Sequence, residues 1–374
     1  MNLPGGEARR PEPLAFTVLT GFLGAGKTSL LNRLIRHGAL ADAAVIINEL
    51  GEIGLDHLLV KSIGDNMVLL QSGCLCCTLR GDLVEALEQL LRDLDNGRVK
   101  FDRIVLETTG LADPAPVLQT VMAHPYLVMR YRLDGVITVV DAVNAAATLD
   151  EHVESVKQVA VADRIVLTKT DLLTTAQGRR DREALASRLR MLNPAAPVLD
   201  AAANEATPER LLACGLFDPR RKHPDVKRWL AAEAYADADH RHHHDVNRHD
   251  DRVRAFSLVS EAAIPAAMFD MFLDLLRSLH GPNLLRLKGI VKLAETPASP
   301  IVVHSVQHIL HPVVQLPSWP DGDARTRIVV ITRDLDPTAV RALFDAFLDA
   351  AAPDQPDRAA LVDNPLVPFG GRDR

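Results

Sequence analysis

The period of apolar and polar positions changes along the chain. Between Leu14 and Ala202, short runs rich in Val, Ile and Leu alternate with longer stretches in which apolar residues recur at helical spacing. The short runs predict strands at Leu14 to Thr20, Ala43 to Leu50, Met67 to Gln71, Arg103 to Glu107, Gly135 to Asp141, Arg164 to Thr168 and Pro197 to Asp200. Runs that are apolar at nearly every position suit strands covered on both faces, hence a mostly parallel sheet. Between them, Leu83, Leu87, Leu90, Leu91 and Leu94 repeat with the period of a helix, as does Arg182 to Leu192. The expected fold is a doubly wound α/β domain.

The pattern breaks from Phe217 to Asp251 into charged, Pro-containing and finally His/Asp-rich sequence. Beyond it, Val253 to Ser260, Leu284 to Leu293, Ile301 to Leu310 and Arg327 to Thr332 read as strands. Ile264 to His280 reads as an amphipathic helix with Met268, Phe272, Leu275, Leu276 and Leu279 on its apolar side, and Asp336 with Pro337 opens a last helix. These elements predict a second, smaller α+β domain. The division expected is a disordered N-terminus (1–13), a nucleotide-binding domain (14–216), a linker (217–252), the second domain (253–351) and a flexible tail (352–374).

At 374 residues the chain accommodates two such domains. Its net charge of -7 argues against nucleic acid as the main partner. No run of about 18 apolar residues exists, and the first residues hold Gly, Pro, Glu and Arg in place of an apolar signal core, so a cytoplasmic protein without a membrane partner is expected. Cysteine usage is uneven: Cys74, Cys76 and Cys77 crowd one tetrapeptide, whereas Cys214 lies alone in an apolar run as a core residue would. A tight thiol cluster in a reducing compartment points to metal or redox chemistry, not to a disulfide framework.

The chemistry begins at Gly21-Phe-Leu-Gly-Ala-Gly-Lys-Thr28, which matches GxxxxGK[ST] between a predicted strand and a predicted helix, Ser29 to His37. Glycines there let successive backbone N–H groups face phosphate oxygens, and the helix N-terminus adds partial positive charge. Gly21, Gly24, Ala25, Gly26, Lys27, Thr28 and Ser29 are the expected phosphate contacts, with Lys27 on the β and γ phosphates and the Thr28 hydroxyl on Mg²⁺. A second part follows in Glu107-Thr-Thr-Gly110, at the end of a buried strand. Glu107 there either holds the Mg²⁺ shell or orients the attacking water, and Gly110 can bring its N–H to the γ-phosphate. Lys27 and Glu107 are thus the catalytic candidates. Base choice rests on Thr168-Lys-Thr-Asp171, in the register of an NKxD guanine element. Asp171 can accept from guanine N1–H and its exocyclic amine, where adenine would present a lone pair, and Lys169 can pack its stem over the base. Thr168 replaces the usual Asn, which leaves one ring contact open.

Ser72-Gly-Cys-Leu-Cys-Cys-Thr78 falls between a predicted strand and a helix, on the edge of the sheet that carries functional loops. Cys74, Cys76 and Cys77 could supply soft ligands to Zn²⁺, with Co²⁺ or Ni²⁺ as alternatives, and three thiolates leave a tetrahedral ion one ligand short. Buried small residues or a redox thiol are the other readings of the same pattern.

Taken in order, GFLGAGKT, INELGEIGLD, GCLCC and ETTGLADP resemble the CobW-like metallochaperone GTPases, and the likeness extends over most of the chain. More distantly, the chain resembles GTPases that deliver nickel in hydrogenase and urease maturation. The resemblance implies that Asn48 to Asp56 is a nucleotide-sensing switch, with Glu49, Glu52 and Asp56 near Mg²⁺ or the transported metal. It also implies that the three cysteines hold metal while Mg²⁺ and GTP are bound, and that hydrolysis loosens the site. Leu50 stands where that switch usually has Phe. Arg286-Leu-Lys-Gly289 and the later His304, His308 and His311 resemble the family's second domain.

His240, His242, His243, His244 and His249, among Asp237, Asp239, Asp245, Asp250 and Asp251, have no regular period and suit weak capture of divalent ions. His304, His308 and His311 read as partly buried structural histidines, and Glu85 and Glu88 as a solvated helix face. The function expected is a GTP-dependent metal chaperone that hands its ion to a client protein, with a homodimer left open. The alternatives are a nucleotide-gated metal sensor or buffer that delivers nothing, and an accessory protein of cobalamin or nitrile hydratase metal insertion.

Overall fold

A computed structural model describes residues 12–49, 67–71, 78–212, 252–307 and 309–348, without the side chains of 48–49, 67–71 and 78–80. The linker with its histidines, Cys214, His308 and the tail from 349 lie outside the described residues.

The first sheet has seven strands, all paired in parallel: β1 (Leu14–Gly21), β2 (Ala43–Glu49), β3 (Met67–Gln71), β4 (Arg103–Glu107), β5 (Tyr131–Asp141), β6 (Arg164–Thr168) and β7 (Val198–Asp200). Their order is β3-β2-β4-β1-β5-β6-β7, so the chain reverses direction across the sheet on either side of β1. Successive residues of one strand feed opposite cores, which is why these strands lack a polar face. Ala44, Ile46, Ile104 and Leu106 pack with Leu87, Leu91, Leu118 and Val121, whereas Val45, Ile47 and Val105 pack with Leu30, Leu31 and Leu34. The helices supplying those partners are α1 (Lys27–Arg36), α2 (Thr78–Asp95) and α3 (Pro114–Ala123). They are followed by α4 (Leu127–Arg130), α5 (Ala145–Glu151), α6 (Val153–Ala160), α7 (Ala176–Leu192) and α8 (Pro208–Leu211). The doubly wound sheet is the expected one, although β5 begins four residues before the predicted Gly135 because Tyr131 and Leu133 extend the buried run.

The second sheet is antiparallel, built from β8 (Val253–Ser260), β9 (Leu284–Val291), β10 (Ile301–Val306), β11 (Ile309–Leu310), β12 (Val314–Gln315) and β13 (Thr326–Arg333). Helices α9 (Ala266–His280) and α10 (Pro337–Leu348) cover one face through Phe269, Phe272, Leu276, Val340 and Phe344. Asp336 accepts from Thr338 N at 2.9 Å, as a cap before Pro337 should. Two expectations fail here: Leu275 and Leu279, expected on the apolar side of α9, are exposed while Phe269 and Leu273 are buried, and Ile301 to Leu310 is not a single strand. Gln307 adopts φ 50, and the chain turns back so that Val306 pairs with Ile309.

The other face of this sheet meets the first domain. Val253, Leu285 and Ile331 pack with Leu185 and Leu189 of α7, and Val306 and Ile309 join the core beside α3. At the centre of the contact Asp163, 3% exposed, accepts from Arg286 and Lys288 and from Val136 N at 3.0 Å, while Arg286 also donates to the Val161 carbonyl. Burial works against a charged carboxylate, but the Arg286 and Lys288 charges outweigh it and hold the Asp163 carboxyl far below the usual range. A depressed folded-state value stabilises the fold at every pH above the ordinary carboxylate range, and the contribution is withdrawn as pH falls below about 4. Asp163→Asn, which removes the negative charge that Arg286 and Lys288 share, is expected to cost roughly 3–5 kcal/mol. Urea unfolding at neutral pH measures this loss, and wild type and variant should converge as the solution is acidified.

Candidate functional site

The phosphate loop leaves β1 at a point where no side chain fits. Gly21 has φ 141, and a Cβ on it would lie 2.2 Å from the Val139 carbonyl oxygen of β5. Gly26, at φ 93, turns the loop into α1, whose N-terminus has no side-chain cap. The first-turn N–H groups of Lys27, Thr28 and exposed Ser29 thus remain directed outward with the partial positive charge of the helix. Lys27 folds back over the loop and donates to the carbonyls of Gly21 (3.0 Å) and Phe22 (3.1 Å). Gly24, at φ 66, is exposed at the mouth, and Ala25 is buried beneath it. Curled backbone, an uncapped helix start and an ammonium group together suit a polyphosphate.

The end of β4 completes this edge. Glu107, 4% exposed, accepts from the Thr28 hydroxyl at 2.7 Å, so a carboxylate and a hydroxyl meet, a pair of hard oxygen ligands of the kind Mg²⁺ takes. Thr108 donates through its hydroxyl to Thr20 at 2.8 Å and through its N–H to Leu19, which locks the strand ends together. Gly110 lies against the loop: a Cβ there would come within 2.7 Å of Leu23 N. Behind it is a cavity of about 240 Å³ between the loop, the end of β5, α5 and α6, lined by Phe22, Leu23, Asp141, Asn144, Ser155 and Gln158 among others. Phe22 stacks on His152 at 4.6 Å between ring centroids.

The base element is held from three sides. Thr168 donates its hydroxyl to the Ala25 carbonyl at 2.7 Å, so the residue in place of Asn ties β6 to the phosphate loop. Lys169, at φ 58, donates to Asp141 at 2.7 Å; Thr170 donates to Asp200, also at 2.7 Å. Asp171 is exposed in the 3-10 turn Thr170–Leu172. Two of these anchors escaped sequence reasoning. Asp141 is partly buried, which alone would raise its pKa, yet bonds from Lys169, Asn144 and Val143 N hold it below the usual carboxylate value. Asp200 accepts from Ala202 N and Ala203 N, and Arg33 of α1 holds the following loop through the Ala201 and Ala206 carbonyls. The available signal was an acid at the end of a parallel strand, the same signal that marked Glu107.

Cys74, Cys76 and Cys77 lie outside the described residues, as do Leu50, Glu52 and Asp56. Glu49 is the last residue of β2 and pairs with Gln71, the last of β3, three residues before Cys74 in the sequence. Both strands end on the edge that carries the phosphate loop. From β3 to β1 is three strand spacings, or about 14 Å. His304 and His311, expected to be partly buried, are fully buried and brought together: they stack at 4.6 Å, 2% and 1% exposed, beside Arg286. Burial first, and then the Arg286 charge, lowers both, His311 to about 4. Glu88 is half-buried beside Arg92, whereas Glu85 is exposed. Among the described residues no group of three or more His, Cys, Asp or Glu side chains is placed to hold a metal, and no helix is long and apolar enough to cross a membrane.

Residues 15–200 match the model of the CobW/HypB/UreG nucleotide-binding domain, and residues 253–348 that of the cobalamin synthesis protein cobW C-terminal domain. The zinc chaperone CobW of a Sinorhizobium species is 30% identical over 370 residues, covering 89% of this chain and 96% of its own. The zinc chaperone YjiA of Escherichia coli is 45% identical over 186 residues, covering 50% of this chain. The zinc-regulated GTPase metalloprotein activator 1 of Schizosaccharomyces pombe is 39% identical over 171 residues. The matched segment spans only 57% of YjiA and 41% of the activator. The crystal structure of Zn(II)-bound YjiA GTPase from E. coli superposes with a TM-score of 0.63 at 26% identity, over 90% of this chain and 99% of that one.

Gly21→Ala tests the loop's geometry directly. Because the obstacle is a backbone carbonyl, either β5 or the loop must shift, at a cost of roughly 1–3 kcal/mol. The expected result is a lower thermal midpoint together with loss of fluorescent GDP binding; a variant that binds GDP like the wild type would show that the loop tolerates displacement.

Proposed function

Because the chain belongs to the CobW family of P-loop GTPases, with its nucleotide-binding and C-terminal domains both present, we propose that it hydrolyses GTP and uses that cycle to hold and release zinc. The observation that carries the nucleotide half is the convergence of Lys27, Thr28 and Glu107 on one uncapped helix N-terminus. GTP would lie with its phosphates in the 21–29 loop, where Lys27 exchanges two backbone carbonyls for phosphate oxygens. Thr28 and Glu107 would hold Mg²⁺, which would supply charge neutralisation to the phosphates. Gly110, against the loop, offers its N–H on the γ side, and orienting the attacking water is the alternative role for Glu107. Catalysis of this kind is mostly positioning and charge stabilisation.

Guanine preference is assigned to Asp171, with Lys169 packing its stem over the base. Thr168 supports the element from behind through Ala25, so the departure from Asn leaves the tether in place. Asp171→Asn removes a charge-assisted acceptor and is expected to weaken GDP binding about 10- to 150-fold. Isothermal titration checks it, and an unchanged affinity would remove Asp171 from the base site.

The zinc half rests on Cys74, Cys76 and Cys77, which follow in sequence the strand that ends opposite Glu49, and on relatives whose names are zinc chaperones. Three thiolates with a carboxylate nearby suit Zn²⁺, with Co²⁺ or Ni²⁺ also fitting such donors, and a client metalloprotein would receive the ion. Competitive Zn²⁺ titration with Mg²⁺ and either a non-hydrolysable GTP analogue or GDP tests the coupling. Zinc should bind at least about tenfold tighter in the GTP state, a difference of about 1.4 kcal/mol, and Cys→Ser at all three positions should abolish it. Affinity indifferent to nucleotide and to that replacement would sink the proposal.

A further inference from the structure

Helix α6 is bonded at once to the loop on the γ-phosphate side and to the second domain. Gln158, 1% exposed, donates from Nε2 to the carbonyls of Gly110 (3.2 Å) and Ala112 (2.9 Å). The preceding residue, Lys157, donates to Asp113 Oδ2 at 2.8 Å, while the other oxygen of that carboxylate caps α3 by accepting from Ala115 N. The second domain reaches the same carboxylate, since Gln307 Nε2 donates to Asp113 Oδ2 at 3.4 Å. Just beyond the helix, the Val161 carbonyl and Asp163 take Arg286. Asn193, fully buried, gathers the carbonyls of Val159, Ala160 and Ala162, so the end of α6 is fixed while its side chains grip residues 110–113.

We propose that Gln158 is a positioning residue for the γ-phosphate loop, and that α6 transmits the docking of the second domain to that loop. This rests on the GTPase reading above. GDP has no γ-phosphate and makes no contact that depends on where Gly110 stands. GTP does, and a ligand shifts a conformation only by what it contacts differently in the two states. Whatever moves α6 relative to the sheet, including release of Arg286 or Gln307 by the second domain, therefore changes the affinity for GTP relative to GDP. By reciprocity, GTP changes how firmly the second domain is docked.

Gln158→Leu keeps the side chain's bulk and removes the donor. In this full-length variant, GDP affinity should stay within about twofold of wild type, while the GTP-to-GDP affinity ratio and the single-turnover hydrolysis rate each fall about tenfold. Gln307→Ala, at the partly exposed turn of the second domain, should move the ratio in the same direction by a few-fold. Hydrogen exchange of residues 108–113 in nucleotide-free protein should be faster in both variants. Equal loss of GDP and GTP binding, or a folded Gln158→Leu variant with unchanged ratio, rate and exchange, would overturn the assignment. Should Gln158→Leu fail to fold, Gln307→Ala and Lys157→Met carry the same comparison. If the wild type itself neither prefers nor hydrolyses GTP, the GTPase reading fails while the exchange measurement still decides whether α6 positions the loop.

Discussion

One buried carboxylate governs how the two domains meet. Asp163 lies between the end of α6 and the start of β6, accepts a backbone N–H from β5, and receives Arg286 and Lys288 from β9. Taking three charged groups out of water is costly, and an apolar replacement would stabilise the fold as well or better. What the cluster supplies is register. The fork of Arg286 satisfies Asp163 and the Val161 carbonyl together, a match that fails if β9 slides by one residue and turns its side chains over. With β9 fixed, β10 and β11 follow by antiparallel pairing, and Val306 and Ile309 are delivered to the core beside α3. Gln307, at the turn between them, arrives at Asp113 as a consequence.

What was legible beforehand follows the range of the interactions. The seven-strand sheet could be read because both-face burial leaves each strand apolar throughout, a property of consecutive residues. The phosphate loop could be read because Gly21 to Thr28 is contiguous, and Glu107 because an acid ended an apolar run. Thr168 shows the limit. Its local register identified a base element with a substituted Asn, but only the fold brings its hydroxyl to Ala25, 143 positions away. Asp141, Asp200 and Gln158 share that limit, since each acts through partners whose proximity is set by strand order.

The segment 301–310 failed for the opposite reason. Its alternation of apolar residues fits one strand well, and nothing in it forbids Gln307 from continuing. The left-handed turn there is stabilised from outside, by Gln307 N donating to the Leu285 carbonyl and by the burial of Ile309. The turn brings His311 back onto His304, where His311 N donates to the His304 carbonyl. A neutral stacked pair is the state such a site favours, because burial disfavours the charged form and Arg286 alongside adds a positive charge.

Strand order also constrains how the thiol segment and the phosphate loop can communicate. With β2 and β4 between β3 and β1, no residue at the end of β3 touches the phosphate loop through sheet contacts. Glu107 is paired in register with Ile47 on one side and Leu19 on the other, so it lies between the end of β2 and the strand that leads into the phosphate loop. The Thr28 hydroxyl can offer a lone pair to a cation while still donating its proton to Glu107, so a cation held there would bear directly on this carboxylate. In the proposed cycle, therefore, nucleotide state reaches the cysteines through the ends of β4 and β2, and reaches the second domain through α6. In that cycle the two routes would share the residues from Glu107 to Asp113, so one segment would answer to phosphate, metal and domain docking together.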